Sequence, residues 1–321
     1  MKTKLTLIAL ITTVFLNAQT PNYNGTDNRM NATRNSFWFE GNFNGTISRY
    51  KDSTIKWQYQ LDYQYRRMAD ANYVKDGNTT NIFRDPFQHV YRPWIHYWIA
   101  PKRVRLSLSP IGYWGTWTPT GEGTQLFYGE IRVCPQVTFF QNVGRFEFQH
   151  RYRYEFRWLT TKDPALANGS FSDYSLGTDY MKSGQKMRMR YFLRVNYSLN
   201  GKKSNEKGAW YLTAWNELFL GVGANTTDAK IMDQDRVVLM VGRYFKCKYP
   251  IKVEVGYTLQ YSPKYDINLP SGQTPGGAYS YGKLNWEANN CFQVYLIMDE
   301  FHQFLQRKKK PVAPVTPVTN P

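Results

Sequence analysis

The amino-acid sequence predicts an all-β chain folded as a transmembrane antiparallel up-and-down β-barrel of about 12 strands. Three observations carry that prediction. Polar and apolar residues alternate with a period of two along one segment after another, as strands with two unlike faces require. The links between these segments are short and long in turn, the rhythm of a barrel with tight turns at one rim and loops at the other. Aromatic residues make up 17% of the chain while mean hydropathy is only −0.59, which suits outward apolar and inward polar side chains that average out.

The N-terminus comes first. Lys2 and Lys4 precede an apolar run from Leu5 to Leu16, and the sequence LNAQT offers cleavage after Ala18. Residues 1–18 therefore read as a secretory signal peptide, although Leu16 stands where a small residue is usual. The run is about 12 residues, against the roughly 20 that a membrane-spanning helix needs, and no later segment qualifies. No cysteine lies near the cleavage point, so a lipid anchor is not expected. Residues 19–304 are expected to form the barrel, in the bacterial outer membrane of a Gram-negative cell.

Period-two alternation marks eleven strands, at 37–49, 55–67, 88–99, 104–113, 125–140, 145–159, 186–199, 210–221, 236–245, 251–261 and 291–299. The second and sixth are the clearest. In IKWQYQLDYQYRR, Trp57, Tyr59, Leu61, Tyr63 and Tyr65 oppose Lys56, Gln58, Gln60, Asp62, Gln64 and Arg66. In RFEFQHRYRYEFRW one face is polar and mostly charged, and the other is aromatic with His150 as its doubtful member. YKDST, APKR, QNVG, NGKKSNEKG and KCKYP are the short links; long polar ones fall near 68–87, 114–124, 160–185, 222–235 and 262–290. If the short links are periplasmic, the first of these strands begins outside. Bacterial single-chain barrels have an even count and begin in the periplasm, so a twelfth strand is expected within residues 20–34, or else one strand elsewhere is split or merged in this reading. Residues 305–321, a basic cluster and a Pro, Val and Thr tract, are expected to be a flexible periplasmic tail.

The later strands resemble a family. RFEFQHRYRYEFRW, MRMRYFLRVNYSL, AWNELFLGVG, DQDRVVLMVGRYF and IKVEVGYTLQY, in that order, are similar to an uncharacterised family of outer-membrane β-barrels from the Bacteroidota, known as a domain of unknown function. The features that carry the resemblance include Asn216 with Glu217, and Asp233, Gln234 and Arg236. It covers roughly residues 145–300, with a poor match in the N-terminal third. The resemblance implies a barrel and no particular activity.

Charge points to the interior. The chain has 41 Lys and Arg against 24 Asp and Glu, a net charge of +17. A basic balance of this size raises nucleic acid as a partner, but export argues against it and leaves anionic lipid, lipopolysaccharide phosphates or small anionic solutes. Charges facing lipid cost about 2–4 kcal/mol each at the bilayer midplane, so charged strand faces belong in the lumen. The lumen-facing candidates are Arg145, Glu147, Arg151, Arg153, Glu155 and Arg157 on one strand, with Lys186, Arg188, Arg190 and Arg194 on the next. Two readings follow. The wall selects or grips small anions, as charged rings do in selective pores. Or it is a structural ladder that fills the lumen, with Asp62, Glu130 and Glu217 as further partners.

Catalysis has little support. His89, His96, His150 and His302 are the four histidines, none stands in a His-x-Ser context, and each reads better as a satisfied or interfacial side chain. No metal spacing or phosphate-binding glycine motif is present, and no cofactor is expected. Cys134, Cys247 and Cys291 form no CxxC pair and read as lone thiols, with one disulfide as the alternative. Trp57, Trp94, Trp98, Trp158 and Trp210 are expected in the interfacial girdles of the outer surface. The functional expectation is a porin-like or binding barrel for small anionic solutes, monomeric and not an enzyme. The alternative is a closed structural or interaction barrel with a periplasmic tail; an outer-membrane lipid-modifying enzyme is disfavoured.

Overall fold

Eleven strands and one short helix are present in the computed structural model, which describes residues 33–68, 86–119, 125–159, 185–222, 232–268 and 280–305. The segments read as signal peptide and tail lie outside the described residues, apart from Leu305. The strands are β1 (Thr33–Arg49), β2 (Ile55–Met68), β3 (Gln88–Ala100), β4 (Val104–Pro119), β5 (Gln125–Val143), β6 (Phe146–Leu159), β7 (Gln185–Ser198), β8 (Trp210–Val222), β9 (Met232–Tyr244), β10 (Ile251–Asn268) and β11 (Ser280–Met298). The helix α1 (Phe301–Leu305) follows.

Every strand found by alternation is present. Several run further than the alternation did: β4 to Pro119, β9 from Met232, β10 to Asn268 and β11 from Ser280. There the sequence loses its apolar face, and pairing with the neighbouring strand continues without it. Inside β4 the register shifts between Ser109 and Gly112, so that Pro110 and Ile111 both face outward between buried neighbours. A bulge is where a sheet tolerates a proline, which has no N–H for the ladder.

Consecutive strands pair antiparallel from β1–β2 to β10–β11, and β1 closes the barrel by pairing in parallel with β11. Thr33 lies beside Ala288 and Phe43 beside Met298 along this seam. An odd number of alternating strands leaves the first and last pointing the same way, so closure requires one parallel pair. The described residues thus form eleven strands, close to the about 12 expected. Most of the stretch read as a further strand, residues 20–32, lies outside the described residues.

One rim collects the short links. Asp52 shapes the first of them: its Oδ1 accepts from the Thr54 amide (3.1 Å) and hydroxyl (2.6 Å), which holds its carboxyl below the usual range. Gly144 (φ 57°) and Gly208 (φ 84°) supply left-handed positions in two others. At the same rim β11 runs into α1 through a latch: Asp299 accepts from Asn44 (3.0 Å) and Lys252 (2.8 Å), and Glu300 from Thr46 (2.6 Å) and Arg49 (3.1 Å).

The barrel is polar within and apolar without. Among the described residues, 27 buried side chains are polar or charged and 16 are apolar, while Leu239 (54%) and Ile111 (56%) stand exposed on the outer surface. An eight-stranded barrel is just wide enough to be filled by side chains, and eleven strands enclose more. Long arginines fill the difference.

Gly256 marks where two strands approach without room for a side chain. A Cβ there would come within 2.1 Å of the Leu239 carbonyl oxygen and 2.6 Å of the Met240 Cα, which are backbone atoms and cannot step aside. Gly256→Ala is expected to destabilise the barrel by about 1–3 kcal/mol. A urea midpoint unchanged from wild type would contradict this.

Candidate functional site

Strand parity and register bring the charged side chains together. On β6 alternate residues from Glu147 to Arg157 point inward; pairing sets Arg153 opposite Arg190, Glu155 opposite Arg188 and, on the other side, Arg132 opposite Arg157. β8 and β9 add Glu217 opposite Arg236.

Glu155 is the centre of the network and is completely buried. Its Oε2 accepts from Arg188 Nε (2.9 Å) and Nη2 (2.6 Å) and from Arg132 Nη1 (3.4 Å); its Oε1 accepts from Arg190 Nη1 (2.6 Å), with Arg153 Nη1 at 3.9 Å. Arg190 carries the network across to Glu217, donating Nη2 to Oε2 (2.7 Å) and Nε to Oε1 (3.1 Å). Glu217 also binds Arg151 (2.5 Å) and lies 3.8 Å from Arg236. Glu130 joins Arg132 (2.8 Å) to Arg157, and Arg188 reaches Asp233 (2.7 Å).

Two further groups extend the filling. Asp62 accepts from Arg92 Nε (2.9 Å) and Trp94 Nε1 (2.8 Å), and Glu254 accepts from Tyr211 (2.8 Å) and Arg194. Aromatic rings separate the guanidinium groups: Arg132 lies 3.9 Å from the Trp114 ring centre, Arg151 3.9 Å from Phe192 and Arg66 3.6 Å from Trp38. Desolvated cation–π contacts of this kind contribute about 2 kcal/mol or more.

The candidate residues are mostly where the alternation put them. Arg151, Arg153, Glu155, Arg157, Arg188, Arg190 and Arg194 face the interior. Arg145 does not: it sits exposed in the tight turn after Gly144, because the period-two pattern continues one residue past the end of the strand. Glu147, at the short-link rim, accepts from the backbone amide of Ser204 (2.9 Å) and ties the β7–β8 link to the barrel mouth. Lys186 pairs with Arg157 through its backbone, and its side chain lies outside the described residues.

Sequence reading missed Arg92, Arg105 and Arg132 on β3–β5, and Glu40 and Glu254. For Glu40, Arg132 and Glu254 the parity of β1, β5 and β10 was the available signal; β3 and β4, which carry Arg92 and Arg105, offer none that clear. Trp94 and Trp98 correct another expectation. Trp57, Trp158 and Trp210 lie on the outer surface, but Trp94 is buried inside and Trp98 shares that face. The histidines have partners: His96 meets Ser107 (2.7 Å) and Gln60 (3.1 Å) inside, while on the outer surface His89 meets Tyr63 (2.9 Å) and His150 meets Tyr191 (3.0 Å). His302 stands 3.5 Å from Glu300. All three cysteines are free thiols.

Closure, inverted polarity and a shared arginine–carboxylate network define an antiparallel-dominated β-barrel with a charge-filled interior. The chain belongs to the family described as Protein of unknown function (DUF2490), whose model matches residues 35–268. That match takes in the N-terminal strands, beyond the 145–300 in which the resemblance was legible. No curated protein and no solved structure matches the chain.

Proposed function

We propose that the chain is a monomeric outer-membrane barrel that binds small anions in a basic interior and does not conduct them. The observation that carries this is Glu155, fully buried and hydrogen-bonded by Arg132, Arg188 and Arg190, with Arg153 only at its margin. A selective pore needs charges that a passing ion can reach, and these are committed to each other. The exposed apolar outer surface, against a polar interior, supports a setting in outer-membrane lipid and lipopolysaccharide. That setting requires no helix able to cross a membrane, and among the described residues there is none. The reading assigns no chemical step to any residue.

Planar-bilayer recording of the refolded full-length protein tests it. The expected result is a folded but silent barrel at ordinary salt. A steady anion-selective current in the wild type would overturn the plugged reading. The latch at Asp299 and Glu300 favours a second role, in which the closed barrel fixes the point where the basic tail begins.

A further inference from the structure

The arginines of the interior are not evenly neutralised. Arg105 on β4 and Arg151 on β6 lie on either side of Thr138, in one row of paired residues. Two strand spacings, about 9–10 Å, separate their backbones, close enough for two long side chains to converge on one small group. Arg153 stands two residues along from Arg151, opposite Gln136.

Arg105 has no carboxylate partner among the described residues. Its guanidinium lies 5.3 Å from the ring centres of both Trp98 and Phe140, and the like charge of Arg151 acts on it as well as the opposite charge of Asp62. Arg151 and Arg190 act on Arg153 in the same sense. The carboxylates at hand, Asp62 facing Arg105 from beyond ion-pair distance, Glu217 beside Arg151 and Glu155 at 3.9 Å from Arg153, are each bound by other arginines.

Donors are left over as well. Arg105 Nε, Arg151 Nε and Arg153 Nη1 are buried without a hydrogen bond, and Arg153 as a whole is only 4% exposed. A buried donor with no acceptor is costly, more so when charged, and three clustered cations add their repulsion. One small anion removes both penalties.

We propose that Arg105, Arg151 and Arg153 form a binding site for a free tetrahedral oxyanion of the phosphate or sulfate class, inside the barrel and near the short-link rim. This rests on the reading of the interior as basic and plugged. Guanidinium forks match the oxygen spacing of such anions, and Thr138 contributes a hydroxyl between the first two. The aromatic walls exclude water and strengthen each contact. A lipid headgroup would have to leave the bilayer and enter the lumen, so the free anion is the ligand of choice.

Calorimetric titration of the full-length protein, refolded in detergent at low ionic strength, with inorganic phosphate is the test. One saturable site is expected, with sulfate competing and acetate competing at least tenfold more weakly. Arg105→Gln removes a residue outside the ion-pair network and is expected to weaken phosphate binding at least tenfold with no change in the heat-modifiable gel migration of the folded barrel. Should that variant fail to fold, Arg105→Lys keeps the charge without the fork and is expected to bind phosphate measurably more weakly than wild type. A folded wild type with no saturable phosphate uptake, or a folded Arg105 variant that binds like wild type, overturns the site. A conducting barrel that still bound phosphate through Arg105 would sink the plugged reading and leave the site standing. A silent barrel without phosphate binding would do the reverse.

Discussion

Replacing Glu155 with glutamine lowers the stability of the barrel by about 3–5 kcal/mol, the cost of breaking a buried ion pair from one side. The substitution conserves volume, so it leaves no cavity. It removes the charge that Arg132, Arg153, Arg188 and Arg190 share, and it turns amide N–H donors toward groups that can only donate. Urea unfolding followed by tryptophan emission measures the loss. Arg188→Met beside Glu155→Gln should recover part of it, because one of the stranded cations is then gone, and a double-mutant cycle isolates the coupling. If Glu155→Gln unfolds within about 1 kcal/mol of wild type, the network does not hold the interior together and the plug loses its basis.

Leu239→Lys tests the setting rather than the filling. Leu239 is 54% exposed on the outer surface near the middle of β9, between Ala214 and Tyr257 in register. Against lipid, a lysine at the midplane costs about 2–4 kcal/mol, whereas near the interfaces the cost falls to about 0–1 kcal/mol. Leu199, exposed just below β7 at the short-link rim, is the matched control. Folding free energies measured in phospholipid vesicles are expected to show a large loss for Leu239→Lys and little for Leu199→Lys. On a surface that meets water, both substitutions would stay within about 0.5 kcal/mol of wild type. Equal, small effects at the two depths would remove the membrane from the account.

Much of the barrel is legible residue by residue. The eleven strands follow from alternation, since the direction of a side chain on a strand depends only on its position. The interior face of β6 and β7 was equally plain, because one set of alternate residues is mostly charged and the other is aromatic on β6 and largely apolar on β7. β3 was not, because it is largely apolar on both sides: Val90, Trp94 and Trp98 point inward while Tyr91, Ile95 and Ile99 point outward. With two such faces, parity does not say which is inside, and the sequence alone puts Trp94 and Trp98 in the girdle. β4 hid its inward face for a different reason. The bulge at Pro110 and Ile111 reverses the alternation halfway along, and only the pairing with β5 shows it.

Which segments are strands, that each carries two unlike faces and that the charged faces belong together can all be read from the chain itself. These are local properties, written into the period of side-chain direction. Only the folded chain shows that β1 closes on β11 in parallel and which carboxylate meets which arginine. Glu155 lies 35 residues from Arg190 and Glu254 lies 60 from Arg194. Contacts at such separations depend on how the paired rows run around the closed sheet, which the pattern of a single strand does not encode. Whether the arginine face is a channel wall or a filling therefore rests on partners contributed by other strands.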